Sequence, residues 1–462
     1  MAYFDANAAN NPYEIVQDNN TASAAVNVIL PLPGDLVVTE VSCERAVVSG
    51  QMLHATWTIQ NIGDNALGGN GLRSLVYIST DTTFDANDRL LGSVTTNNVS
   101  LPIDATMQQS LAGRISGLAE GSYFLIVKTD VTNAFNEVSD NNNTGCSTHP
   151  FLVTIRPLPF NTDVHDTVIN DVVSDYMINV GDQVNQTVRV HINSEDSALG
   201  AVNMIYATYN NMGSNLNYSY STIGQYTANS ELYIPATQLG YYGVNIYGFT
   251  PTNQPQNLVV RADVLPFELM GVHDNHGGNT GVTTVELTGS RFRPDMTVCL
   301  RNGNEVICAD TLIYVNYYQA FAQFDLTGRT PGVYDVSAVN FCEGEAVLTN
   351  AFTIENGQPS GLSYNLLFPS SPRPNRNVVL MLEYGNIGNV DLHDQVLEIT
   401  SVGGSPIALT SDGLSQHRTV LRVPLSIEGE PAGLLRPGSY GTLNIYCYSS
   451  GALIFTIKPV EE

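Results

Sequence analysis

Asp81, Asp85, Asn87 and Asp88 set four hard oxygen donors close together in one acidic stretch, Asp81 to Arg89. Calcium takes about six to eight such oxygens in a flexible shell, so these residues are candidate ligands for Ca2+. Asp140, Asn141 and Asn142 offer more, as do Asp18, Asn19 and Asn20. The loop is not an EF-hand, because it lacks the glycine and the glutamate at the needed positions. The same residue types also build ordinary Asx turns in β loops, and both readings stand. His273-Asp274-Asn275-His276 has a spacing that chelates metal on a helix. Beside the glycines 277 and 278 it reads as a turn between domains.

Cys299 and Cys308 flank Gly303-Asn304, and a two-residue turn with glycine first is a type II′ signal. Counting outward from that turn makes the two cysteines a non-hydrogen-bonded pair, whose spacing a cross-strand disulfide can span. Cys43 and Cys146 offer a second pairing across one domain. The sequence has no Cys-x-x-Cys, Gly-x-Ser-x-Gly or His-Glu-x-x-His, so nothing marks a zinc site or a catalytic centre of familiar spacing.

These residues need a scaffold, and one pattern recurs that describes it. Gly121-Ser122-Tyr123, Gly240-Tyr241-Tyr242, Gly332-Val333-Tyr334 and Gly438-Ser439-Tyr440 each open an apolar run of strand length. In a β-sandwich such a tyrosine pins a corner, with its ring in the core and its hydroxyl on nearby backbone. Tyr123, Tyr334 and Tyr440 are therefore expected to be buried, late in their domains. Leu53, Ala55, Trp57 and Ile59 alternate with polar residues, as in a strand with one buried face. Val378, Leu380, Leu382 and Tyr384 repeat that pattern, and Gly385-Asn386-Ile387-Gly388 then follows as Asn61-Ile62-Gly63 follows the first.

The 462 residues allow about three or four domains. Charged residues are only 13% of the chain, and the net charge is −26. Lysine occurs twice, as Lys128 and Lys458. Such a balance excludes nucleic acid and anionic membranes as partners, since both require Lys/Arg neutralisation. No 18-residue apolar run is present, so no membrane insertion is expected. The expected fold class is all-β, a tandem array of immunoglobulin-like and related β-sandwich domains. The boundaries fall at 1–36, 37–158, 159–266, 267–356 and 357–462. The first stretch is expected to be the last strands of a preceding domain, because Glu14 to Thr21 resembles Glu137 to Thr144 and both lead to Pro-Leu-Pro.

Asp35-Leu36-Val37-Val38, Thr56-Trp57-Thr58-Ile59-Gln60-Asn61-Ile62-Gly63, Val76-Tyr77-Ile78-Ser79-Thr80-Asp81, Asp88-Arg89-Leu90-Leu91-Gly92 and Asp140-Asn141-Asn142 together resemble CARDB, the bacterial cell-adhesion-related domain. Residues 357–462 resemble a diverged relative of it. The ending Leu258 to Val264 is similar to the pre-peptidase C-terminal type of sandwich. Thr284 to Phe292 with Gly332 to Val336 is similar to IPT/TIG domains. These resemblances imply an immunoglobulin-like sandwich array on a secreted or surface-exposed bacterial protein. They imply no catalytic residues. The expected role is a non-catalytic stalk, spacer or adhesive segment. A glycan- or protein-binding accessory region of a secreted enzyme is one alternative, with tyrosines 206, 209, 218, 220, 226 and 233 as a glycan face. The other is a fibre subunit that self-associates through its N-terminal strands.

Overall fold

The structure, a computed structural model, describes residues 2–3, 21–26, 32–195, 200–222, 224–359, 361–369, 372–449 and 453–460. Asp18, Asn19 and Asn20 lie outside the described residues. Strand makes up 55% of the protein and helix 1%, so the chain is a tandem series of β-sandwiches. It divides into two compact units, 1–156 and 157–462.

In the first unit the alternating pattern predicts its own burial. Strand β2 (Met52–Asn61) buries Leu53, Ala55, Trp57 and Ile59 and turns the residues between them outward. Full burial of a side chain the size of Leu53 or Ile59 contributes about 1.5–3 kcal/mol. β2 lies between β1 (Leu36–Ser42) and β5 (Thr106–Arg114) in one sheet. The facing sheet runs β7 (Phe151–Thr154), β6 (Gly121–Lys128), β3 (Leu72–Ser79), β4 (Arg89–Thr96). β6 has a hydrogen-bonded partner on each side and is central in its sheet, and consecutive Leu125, Ile126 and Val127 are all buried.

The second unit holds three separate cores. The first is built by β8 (Val173–Asn179), β9 (Val188–Ser194), β10 (Val202–Tyr209), β11 (Tyr241–Phe249) and β12 (Gln256–Val264). The next sandwich opposes two sheets. One contains β13 (Glu268–His273), β15 (Val282–Ser290) and β18 (Gln319–Asp325). The other orders β14 (His276–Gly278), β20 (Gly344–Glu355), β19 (Gly332–Asn340), β16 (Thr297–Asn302) and β17 (Glu305–Cys308). Val285, Leu287 and Phe292 are fully buried in its core. Cys299 and Cys308 are paired in register and form the expected disulfide, and Gly303 has the positive φ (58°) that the turn demands. Cys43 and Cys146 do not pair; both are free thiols, and burial pushes the Cys43 thiol up to about 11. His273 and His276 do not form a turn between domains. They end β13 and begin β14, which lie in opposite sheets of one sandwich, and Asp274 takes the positive φ (54°) at the crossing.

The last sandwich has β21 (Leu362–Leu367), β22 (Arg376–Asn386) and β25 (Tyr440–Ser449) in one sheet. Its other sheet is β24 (Val420–Pro424), β23 (Val396–Ser401), β26 (Phe455–Pro459). This sandwich repeats the first in register. Leu36 faces Asn61 and Leu362 faces Asn386; Thr106 faces Gln60 and Tyr440 faces Gly385. The same fully buried asparagine plugs both. Asn61 accepts from the N–H of Gly63 and donates to the carbonyls of Asn65 and Leu101; Asn386 accepts from Gly388 and donates to Val390 and Leu435.

That equivalence explains the fate of the tyrosine pattern. Tyr123 and Tyr334 donate to the carbonyl four residues upstream, at Ala119 and Thr330. Tyr242 accepts from the N–H four residues upstream, at Gln238. Tyr334 and Tyr242 are fully buried, and Tyr123 is half-buried against the core. Tyr440 is 65% exposed. Its Gly-x-Tyr opens β25, the counterpart of β5 with Tyr440 standing where Thr106 does, and not the counterpart of β6. The ring that packs inside is Tyr384, whose hydroxyl donates to the Ser426 carbonyl.

Candidate functional site

The acidic loop 81–88 connects β3 to β4 and folds on its own carboxylates. Asp81 accepts from the N–H of Thr83 (2.7 Å), Asp85 from Asn87 (2.7 Å) and Asp88 from Asp85 (2.8 Å). Phe84 pins it, edge-on to Tyr77 (4.8 Å) with the Lys128 ammonium over its ring (4.3 Å). The first two are Asx turns, and the third closes the loop from Asp88 back to Asp85. Among the described residues no three His, Cys, Asp or Glu groups converge as metal ligands.

The second candidate segment has a different job. Glu137 to Asn143 clamps the entry of β1. Val138 N–H donates to the Gly34 carbonyl, and the Leu36 N–H donates to Glu137 Oε2 at 2.7 Å. Asn142 donates to both oxygens of Asp35 at 3.1 Å, and Asn143 to Glu137 Oε1. Asp140 and Asn141 stand exposed at the tip of this turn. The side-chain oxygens of Asn142 and Asn143 are buried without a hydrogen-bond partner.

Burial raises the Glu137 carboxyl from the ordinary 4.5 to about 7; the Leu36 and Asn143 donors oppose this and neighbouring Asp130 reinforces it. The folded protein therefore holds a proton that the unfolded chain releases between those two values. The stability this contributes is complete below pH 4.5 and is lost as pH rises through 7. Trp57 is the chain's single tryptophan and lies in this core, so its fluorescence reports this sandwich alone. Its melting temperature is expected to fall between pH 5 and 8, and Glu137→Gln is expected to flatten that fall.

The joint between the last two sandwiches is built from residues far apart in sequence. Arg436 is 6% exposed, and its guanidinium meets Asp274 and Glu286 of one sandwich (2.8 and 3.3 Å) and Glu430 of its own (3.0 Å). It lies over the Phe321 ring, 5.3 Å from the centroid. Burial works against the charge, but Glu430, Asp274 and Glu286 outweigh it and hold the group protonated. Backbone closes the same seam: Gly278 N–H donates to the Asn389 carbonyl and Asp391 N–H to the Val282 carbonyl. Asp391 in turn accepts from the Thr284 hydroxyl at 2.6 Å. A Cβ on Gly278 would collide with the Asn389 side chain, so any larger residue there must displace that side chain from the seam. One seam earlier, Tyr233 stacks on Tyr318 at 4.6 Å and Thr187 accepts from the Arg291 N–H. No local motif announces either seam. The one available hint to the later one is an arginine in a chain with few cations.

The tyrosines do not gather into one face. Tyr206 packs with Tyr218 and Tyr247, while Tyr209 and Tyr220 pack on Tyr242 in the core. Three residues apart on β10, Tyr206 and Tyr209 leave opposite faces. Tyr233 belongs to the seam, and Tyr226 stands alone at 78% exposed. Several other cations pair as well: Arg189 and Arg261 with Asp263, Arg291 with Glu343, Arg301 with Glu345, and Arg422 and Lys458 with Glu398. Among the described residues no helix is long and apolar enough to cross a membrane.

No family model matches the chain, and no curated protein matches it. Solved structures do. A CARDB domain from Pyrococcus furiosus, in complex with di-metal ions, is 21% identical over 27% of this chain and 96% of its own, at a TM-score of 0.21. A β-glucosidase from Listeria innocua, bound to isofagomine, is 15% identical over 27% of this chain and 16% of its own, at 0.18. The extracellular region of plexin A4 is 11% identical over 94% of this chain and 34% of its own, at 0.21.

Proposed function

We propose that the chain is a non-catalytic structural segment of a bacterial surface protein, a stalk or spacer on the outside of the cell. Its modules are 37–158, 159–266, 267–356 and 357–462. The observation that carries this reading is the Arg436 seam. A binding module has no need to bury an arginine between three carboxylates of two sandwiches, whereas a load-bearing one gains a fixed angle from it. The composition agrees, because few cations and a large negative charge suit an exposed, soluble surface. Single-molecule stretching of the intact chain, paired with a glycan array, tests the reading. Discrete unfolding steps and a silent array are expected; saturable binding to a glycan overturns the stalk in favour of an enzyme accessory.

A second reading concerns calcium and moves it from the loop to the clamp. It rests on the partnerless oxygens of Asn142 and Asn143 beside the Glu137 carboxylate. The loop acids are already committed to their own turns. Millimolar calcium is expected to raise the Trp57-reported melting temperature over that in chelator. Glu137→Gln should abolish the rise and Asp85→Asn should leave it. Equal melting in calcium and chelator overturns this reading.

A further inference from the structure

The first and last sandwiches share strand order and register through β5 and β25, but they differ beyond the next strand. In the first, β6 is covered on its outer edge by β7 and by Thr144–Cys146. In the last, β26 pairs with β23 and is the edge of its sheet among the described residues. The Val402 N–H donates to the Ile454 carbonyl and the Val460 N–H to the Val396 carbonyl. Even-numbered residues of β26 therefore face β23, and the backbone groups of Phe455 and Ile457 point away from it. The core beneath is thin at this end. Leu53 is fully buried in the first sandwich, but its counterpart Val378 is half-buried, as are Phe455 and Ile457.

The chain carries a second copy of the piece that fills this edge. Glu14 to Thr21 matches Glu137 to Thr144 at Glu, both asparagines and the threonine. An alternating apolar run, Val26, Val28 and Leu30, then precedes Pro-Leu-Pro, as β7 does. Thr21–Ala22 pair only with Ala2–Tyr3 among the described strands. We infer that residues 14–30 of one chain add a strand to β26 of a second copy and so join copies head to tail. Main-chain bonds to the free edge provide affinity, and alternate side chains entering the thin core provide register. Glu14 takes the role of Glu137 and accepts the N–H of Leu362, the counterpart of Leu36. A contact between two different surfaces does not close on itself, so it builds a filament.

Light scattering on the intact chain tests this. The wild type is expected to grow past a dimer as concentration rises. Val28→Pro with Leu30→Pro removes the donor, and Ile457→Pro blocks the edge; each protein alone is expected to stay monomeric. Mixed, the two have one working donor and one working edge between them, and they should form a heterodimer and nothing larger. Glu14→Ala should weaken assembly about tenfold, the loss of one hydrogen bond to a charged group. Should Ile457→Pro unfold its sandwich, a synthetic peptide of residues 12–33 decides: it caps wild-type chains as monomers. A wild type that stays monomeric throughout, variants that still assemble alone, or a peptide without effect overturns the inference.

Discussion

Arg436→Met is expected to destabilise the last two sandwiches by about 3–5 kcal/mol and to split their shared melting transition in two. Methionine keeps much of the volume, so packing loss is secondary. The cost comes from Glu286 and Glu430, 20% and 10% exposed, which are left buried without a countercharge. Removing one partner of a buried ion pair typically costs about that amount. Replacing the buried members of such a cluster by apolar residues is often neutral, so the combination of Arg436→Met with Glu286→Met and Glu430→Leu should recover most of the stability, Asp274 being 37% exposed and open to water. Calorimetry on the intact chain measures both. A single unchanged transition in Arg436→Met would mean the seam is ornamental, and the stalk reading would lose its main support.

Asn61→Ala is the second large expectation, on the order of 4 kcal/mol. Five hydrogen bonds converge on this one side chain. Its oxygen accepts from the N–H of Asp35 and Gly63, and its amide reaches the carbonyls of Asn65, Leu101 and Pro102. Alanine fills none of these, and each buried group left without a partner costs about 1–3 kcal/mol. Trp57 fluorescence against urea gives the number. Asn141→Ala, on an exposed turn tip, is the control and should shift stability by less than about 0.5 kcal/mol. Asn386→Ala should do to the last sandwich what Asn61→Ala does to the first, leaving Trp57 unaffected.

The reach of the sequence follows the range of the forces involved. The Cys299–Cys308 bridge was legible because a two-residue turn fixes its own register. The kinship of the first and last sandwiches was legible in Asn61-Ile62-Gly63 and Asn386-Ile387-Gly388, because the plug and its glycine are local. Tyr440 misled because Gly-x-Tyr specifies a turn into a strand, not which strand. Only its pairing with Gly385 identifies it. The Arg436 seam was invisible for a related reason: residues 274, 286, 430 and 436 share nothing in sequence and meet only when two finished sandwiches dock. For the acidic residues the sequence left calcium and Asx turns both open; the Asx turns of the loop are local and so were legible, whereas the clamp on Asp35 and Leu36 joins residues about a hundred positions apart.

The pairing of cations has a colloidal consequence. With several arginines answered within their own chain and 44 Asp and Glu against 18 Lys and Arg, the outward field is set by the surplus carboxylates, −26 in total. Two such chains carry like charge, so they repel one another at low ionic strength. Above about 0.15 M salt that repulsion reaches only ~8 Å. Lateral clustering is thus tuned by the medium, while any end-to-end contact made through backbone is nearly indifferent to it.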